Sequence, residues 1–511
     1  MQRTILFVDD NDILYRSGTK RILSQPKRHQ SNPLIKTDRP WEVAIGWTSI
    51  YRDPETGKYQ LWYQAFAGDQ AEQKTHRCVV CYAISDDGIH FSKPDLDQFA
   101  FNDIEHTNIV LVGNGGHSLR YANSVIYDPK ETEPQKRYKM AYFDFSKNNG
   151  LETPGLCVAF SPDGINWSKH PQAPLLKVSY GDYGTPVPLA DHEPEATNNR
   201  SWDVPLSMSD AVDVLYDPKG DLFVIYGKMW IDAPDGDMYW KHGMGRTTSK
   251  NFIDWSKPEL LCVPDEFDPP HLEFHTTPVF FYQDVYFCLN QILNRAEGRG
   301  VIDIELGISR DGIDWRRPFR ESFFIPRPGA ETGNRTGQVE KDQFDSGSIF
   351  TNSTPVFLED EIRFYYGGYS KGATGADDYT HVSGVGMVTL PRDRFAGITP
   401  VAVSNQSTLK SPLQNVGQMT LKPISLSNVT QILLNADAST GEIRVELLDL
   451  SGRRVKGFTR EESYTITGDS LVHQVKWTES RLSDLDSDAY LLRLHLYSAT
   501  VYALTLVSVE E

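Results

Sequence analysis

Ser85-Asp86-Asp87-Gly88-Ile89-His90-Phe91-Ser92-Lys93 is the stretch that decides the architecture, because the chain repeats it. It returns as Ser161-Pro162-Asp163-Gly164-Ile165-Asn166-Trp167-Ser168-Lys169 and as Ser309-Arg310-Asp311-Gly312-Ile313-Asp314-Trp315-Arg316-Arg317. A looser copy reads Ser249-Lys250-Asn251-Phe252-Ile253-Asp254-Trp255-Ser256-Lys257. Self-similarity at long spacing fixes architecture before any single element is assigned. In each copy a turn signal, Asp-Gly or Lys-Asn, stands just ahead of an aromatic residue. That pattern predicts a tight loop whose aromatic packs back between neighbouring sheets, a structural turn and not a reaction centre.

A second motif runs in step with the first. Tyr51-Arg52-Asp53-Pro54 precedes Tyr59-Gln60-Leu61-Trp62-Tyr63, Tyr127-Asp128-Pro129 precedes Tyr138-Lys139-Met140-Ala141-Tyr142, and Tyr216-Asp217-Pro218 precedes Leu222-Phe223-Val224-Ile225-Tyr226. Degenerate copies follow at Tyr282-Gln283-Asp284 and Leu358-Glu359-Asp360. Each is a strand, a polar turn and a second strand rich in aromatic and β-branched residues, the signature of a hairpin. The turn positions 53, 128, 217, 284 and 360 are separated by 75, 89, 67 and 76 residues. Five such units predict an all-β chain with a five-bladed β-propeller.

Beyond Phe395 the texture changes. Residues 400–415 are a Ser-, Asn- and Pro-containing linker. Short alternating strands follow, with turn signals every ten residues or so, and they predict a C-terminal β-sandwich. The expected organisation is a propeller over residues 1–399, the linker over 400–415 and the sandwich over 416–511. The sandwich either binds carbohydrate or braces the propeller; with no exposed aromatic cluster in its sequence, bracing is the simpler reading.

Composition narrows the partners. With 51 basic against 69 acidic residues the formal charge is −18, which argues against nucleic acid or an anionic membrane. No apolar run has the length of a spanning helix. Residues 1–15 lack a secretory apolar segment, so the chain reads as cytoplasmic, or as periplasmic or secreted if a signal has been removed. Five cysteines include Cys78-Val79-Val80-Cys81, a spacing that suits zinc or redox chemistry. It lies in a strand-like stretch without a second pair, so buried thiols are expected.

A small propeller gathers the starts of its innermost strands around one axis, so the informative residues are polar groups upstream of each hairpin turn. Blade one offers Glu42, blade two Arg120 and Asn123, blade three Asp210 and Asp213, blade four Glu273 and His275, and blade five Asp345. Carboxylates at equivalent places in several blades are costly to bury together unless they do chemistry. Glycoside cleavage uses such a pair, one protonated and one ionised. By strand alternation Asp213 faces away from Asp210 and is read as structural. No His-x-x-x-His or comparable ligand set occurs, so no catalytic metal is expected, although the axis admits a structural Ca²⁺.

The Tyr-Asp-Pro hairpins, the Ser-x-Asp-Gly-x-x-Trp loops and Ser209-Asp210-Ala211 together resemble the five-bladed propeller glycoside hydrolases of the arabinanase/β-xylosidase and invertase/levanase superfamily, over roughly residues 35–395. The resemblance implies Glu273 as general acid, Asp210 as the partner that tunes it and clamps the sugar, and Glu42 as base or nucleophile. It further implies that Asp345, Arg120, Asn123 and His275 hold hydroxyls or a carboxylate of a terminal or side-chain sugar, possible forms being a furanoside or an acidic sugar. The chain departs from the pattern in two places: Thr276 stands where alignment on Pro278 puts the acid, and Gly46 where it puts the base. Two rivals remain, a propeller that binds carbohydrate or protein without turnover and a phosphorylase, which needs a basic pocket.

Overall fold

The computed structural model of the chain describes residues 2–114, 123–148, 151–177, 187–188, 208–231, 241–296, 300–328, 343–373, 382–401 and 415–509. The architecture is all-β: a five-bladed propeller followed by a β-sandwich. Arg120, the loop residues 181–186 and 189–202, and 329–342 lie outside the described residues, as does the linker over 402–414. No helix is long and apolar enough to cross a membrane among the described residues.

Each predicted hairpin forms for the local reason its turn supplies. Ala44–Arg52 pairs with Tyr59–Phe66, Asn123–Tyr127 with Tyr138–Asn148, and Met208–Asp217 with Leu222–Ile231. At the three Asp-Pro turns the Asp carboxylate accepts a backbone N–H two residues on, from Glu55 (2.8 Å), Lys130 (3.0 Å) and Lys219 (3.0 Å). This Asx bond closes the turn without help from the rest of the fold. In blade four Val279–Tyr282 and Val285–Asn294 are joined by Gln283 and Asp284, with φ of 48° and 63°, the two left-handed residues of a tight hairpin.

Third strands complete the blades: Cys78–Ser85, Leu151–Ser161, Lys241–Ser249, Val301–Ser309 and Ser383–Pro391. These strands are buried on both faces, because the sheets stack face to face; Cys78–Ser85 is buried at seven of its eight positions. The ring closes through the N-terminal segment. Lys27–Arg28 and Ile35–Lys36 pair with Ser383–Pro391 as the outer strand of blade five.

The repeated Ser-x-Asp-Gly loops hold neighbouring blades together. In the first copy Ser85 Oγ accepts the Gly88 N–H (2.9 Å) and Asp87 accepts those of Ile89 and His90 (both 2.8 Å). The glycine carbonyl is thereby turned outward and receives a donor from the next blade. Trp62 Nε1 donates to Gly164 O (2.7 Å), Tyr226 OH to Gly312 O (2.9 Å) and Tyr365 OH to Gly88 O (2.7 Å). In the looser copy Phe252, at φ 65°, stands in the glycine's place and packs its ring on Phe160 of blade two and Phe223 of its own blade.

The chain divides into two compact units: Lys27–Val356 with Arg363–Thr389, and Met1–Pro26 with Phe357–Ile362 and Leu390–Glu511. The boundary therefore differs from the expected 1–399. Gln2–Leu6, Ile13–Ser17 and Thr19–Leu23 pair with Thr500–Ser508, Val416–Leu421 and Ala396–Pro400, so the first strands belong to the sandwich. The twenty-residue strand Val429–Leu448 serves both of its layers. Its first half pairs with Thr500–Ser508 and its second with Ala489–Tyr497, with register breaks between. Ile432, Leu434, Ile443, Val445, Leu492, Leu494, Leu504 and Trp477 pack in its core.

Gly164 lies at φ +79°, and a Cβ there meets Trp62 at 2.5 Å, whereas Gly452, at φ +84°, has nothing within 4 Å. Gly452→Ala should therefore cost about 1 kcal/mol of backbone strain. Gly164→Ala adds overpacking and should cost about 2–4 kcal/mol. Urea unfolding of both variants checks this; equal losses would show that the latch does not depend on close approach.

Candidate active site

Blades three and four bring two polar groups near each other, an Asp210–Lys228 pair and a His242–Glu273–Arg295 cluster. Asp210 opens the inner strand of blade three, where the register is irregular between Met208 and Val212. Its carboxylate meets Lys228 Nζ at 2.5 Å, on the second strand of the same blade. Two residues on, Trp230 stands opposite His242 on the third strand, and the two rings lie 3.7 Å apart between centroids. His242 in turn faces blade four. Its backbone N–H and its Nδ1 both reach Glu273 Oε2, at 3.0 and 2.5 Å. The other oxygen of Glu273 receives the Arg295 guanidinium.

These contacts set the charge states. Burial, then the positive charge of Lys228, His275 and Arg295, holds His242 well below the ordinary histidine range, so its ring is neutral. Glu273 already accepts from Arg295 and from a backbone N–H, so the proton of the neutral ring sits on Nδ1. His275 belongs to the same cluster. Its Nδ1 meets Gln291 Oε1 at 3.1 Å, and its ring lies 6.2 Å from Trp47 and 5.7 Å from Phe350. Trp47 stacks on Phe350 at 4.5 Å and takes φ 37° at a break in register between Gly46 and Thr48.

Buried polar atoms without a hydrogen-bond partner among the described residues recur at one end of the blades. They are Trp47 Nε1 and both amide atoms of Gln64 in blade one, both amide atoms of Asn123 in blade two and His242 Nε2 in blade three. Thr277 Oγ1 and Asn290 Oδ1 follow in blade four, and Ser348 Oγ in blade five. All stand near the start of an inner or third strand, or the end of the second strand beside it. Proteins pair the large majority of such groups, so their recurrence near this end makes it the candidate place for a polar ligand.

The sequence-derived candidates separate into three groups. Asp210, Glu273 and His275 lie in the network, and Asn123 is buried with its amide unpaired. Glu42 and Asp345 are committed elsewhere. Glu42 is buried in blade one, where Oε1 accepts from Tyr63 OH (2.6 Å) and Oε2 from Lys93 Nζ (2.6 Å) and the N–H groups of Asp38 and Arg39 (3.0 and 3.2 Å). Both oxygens are bound and the side chain is fully buried, so it is not presented to a substrate. Asp345 accepts from Arg28 Nε (3.0 Å) and Tyr366 OH (2.8 Å), fastening the ring-closing segment to blade five. Arg120 is among the residues that the structure does not describe.

Lys228, His242 and Arg295 were not in the sequence-derived set, because attention to the inner strands passes over the second and third. The available signal was a charged residue inside an otherwise apolar strand, as in Tyr226-Gly227-Lys228-Met229-Trp230. Asp213 has a different partner from Asp210: it accepts the Ser353 N–H (3.3 Å) across the ring, and burial raises its carboxyl well above the usual range. Among the described residues no three His, Cys, Asp or Glu side chains converge as a metal site. All five cysteines are free.

No family model and no curated protein matches this chain. Solved structures similar to it include an N-acetylgalactosamine deacetylase from F. plautii in complex with blood group B trisaccharide, at 15% identity and TM-score 0.42 over 74% of this chain and 96% of that one. A member of the GH130 family of mannoside phosphorylases, which contains glycoside hydrolases that target β-1,2 mannosidic linkages in Candida mannan, is 16% identical at TM-score 0.43, over 75% and 97%. A protein of Bacteroides ovatus described only as a candidate glycoside hydrolase is 17% identical at TM-score 0.43, over 72% and 97%. Likeness of this degree assigns no activity to the chain.

Asp213 gives a titration test of the interior. Its folded pKa is raised, so the native state keeps a proton that the unfolded chain releases above about pH 4. Stability should then fall as pH rises through that window, by up to about 1.4 kcal/mol per pH unit. Asp213→Asn should remove this slope and be the more stable protein at pH 8. Parallel pH slopes for the two proteins in urea unfolding would contradict a protonated Asp213.

Proposed function

We propose that the propeller is a glycosidase that releases a terminal or side-chain sugar, with its reacting groups on blades three and four. The single observation that carries this reading is that the Asp210–Lys228 pair of blade three stands close enough to the His242–Glu273–Arg295 cluster for the Lys228 charge to act on the His242 ring. It places carboxylates on adjoining blades, of which Asp210 is the one left to react. Trp47, Phe350 and Trp230 supply apolar surface beside the polar groups, the usual mixture in a small-ligand site.

Within this reading Asp210 is the carboxylate that meets the substrate, since its side chain keeps 18% exposure against 3% for Glu273. Glu273, bound by Arg295 and His242, is suited to holding the network and not to donating a proton, which revises the role implied by the resemblance. Glu42 has no place in the proposal, because its oxygens are all engaged. The cations of the network are each matched by a carboxylate, Lys228 by Asp210 and Arg295 by Glu273. A neutral sugar fits that balance better than an acidic one.

Binding without turnover is the second reading, and the engagement of Glu42, the expected base, favours it. Aryl glycosides of pentoses and hexoses separate the two. The glycosidase reading expects release of the aryl group by the wild type and a fall of at least about 10³-fold in kcat for Asp210→Asn. Sugar binding by calorimetry with no release from any aryl glycoside would leave only the binding propeller.

A further inference from the structure

We propose that His242 Nε2 contacts the sugar directly, as the acceptor for a substrate hydroxyl, and that Glu273 acts through it as a positioning residue. The inference rests on blades three and four being the sugar site, and it adds a recognition atom that neither the repeats nor the carboxylate pattern indicates.

His242 is 2% exposed, and its Nε2 has no hydrogen-bond partner among the described residues. The opposite edge of the ring is fully determined. Nδ1 donates to Glu273 Oε2, the backbone N–H of the same residue reinforces that contact, and Arg295 holds the second oxygen of Glu273. One carboxylate thus fixes both the tautomer and the ring plane, leaving Nε2 as a bare lone pair. A carboxylate behind an imidazole is a general device for orienting the nitrogen in front.

The groups facing the ring oppose its protonation. Trp230 covers one face, and Lys228 from the second strand of blade three, His275 from the inner strand of blade four and Arg295 beyond the second strand of blade four bring positive charge or the capacity for it. Glu273 is the anion that touches the ring, and it is itself paired with Arg295. Asp210, the nearest further carboxylate on blade three, is paired with Lys228. An acceptor kept neutral by burial and by the nearby Lys228 and Arg295 charges cannot serve as a donor at Nε2. It selects ligands that present an O–H or N–H at that point, and an ether or deoxy position there leaves a buried lone pair unmatched.

The test combines spectroscopy and kinetics on the full chain. With ¹⁵N-histidine labelling, a resonance absent from His242→Gln should show a protonated Nδ1 and a bare Nε2 at pH 7. The Nε2 signal should shift when at least one of L-arabinose, D-xylose, D-mannose or D-galactose is added to saturation. In kinetics, His242→Phe keeps a ring against Trp230 but removes the acceptor. It should lower kcat/KM by about 10- to 100-fold, erase the preference for the parent glycoside over the analogue deoxygenated at the contacted position, and be partly restored by His242→Gln. Thermal unfolding shows whether either variant is folded, and the wild-type spectrum decides the point if neither is. An Nε2 that carries the proton, or that no sugar moves, overturns the proposal, as does an unchanged kcat/KM in folded His242→Phe. If a sugar moves Nε2 but no aryl glycoside is cleaved, the glycosidase reading falls and this one stands.

Discussion

The propeller depends on a hydrogen bond that passes from one blade to the next: an indole or phenol of one sheet donating to the glycine carbonyl of its neighbour's Ser-x-Asp-Gly loop. Trp62, Tyr226 and Tyr365 each make it, between blades one and two, three and four, and five and one. The bond needs a carbonyl aimed out of a tight turn, which requires a residue at positive φ. It also needs an aromatic ring lying flat against that residue, which requires the absence of a side chain. Sequence satisfies both with the same glycine. The rings that donate are fully or nearly fully buried, so each latch also brings the apolar contact of a large aromatic side chain.

Sheets locked in this way leave their opposite ends free to carry chemistry. The latches lie at the hairpin-turn end of the blades, whereas Asp210, Lys228, His242 and Glu273 lie at the end where inner and third strands begin and second strands finish. In the proposed reading the latches and the sugar site occupy opposite ends of the same strands. The polar network needs that rigidity. A neutral imidazole near the Lys228 and Arg295 charges, and a carboxylate receiving three donors, persist only where the backbone holds them against relaxation.

Much of the fold could be read from local chemistry. Asp53, Asp128 and Asp217 close their turns through their own carboxylates, so each hairpin is encoded within a few residues. Long-range pairing has no such signal. Nothing in Gln2–Leu6 says that it will join Thr500–Ser508, and the sandwich therefore claims strands from both ends of the chain. The site was legible in part, for a related reason. Asp210 and Glu273 stand where blade geometry puts functional groups, but so does Glu42. Asp210 and Glu42 are each paired with a lysine, and what separates them is exposure, 18% for the Asp210 side chain against none for that of Glu42. His242 was invisible because a lone histidine at the start of a third strand acquires meaning only when Glu273 is found behind it.

The account turns on sugar being bound where blades three and four share one network. A crystal structure of Asp210→Asn soaked with the monosaccharide that the wild type binds most tightly tests this most directly. The prediction is a sugar ring resting on Trp47 or Trp230, with one hydroxyl within hydrogen-bond distance of Asn at position 210. A sugar found only on the C-terminal sandwich, with the propeller unchanged, would contradict it.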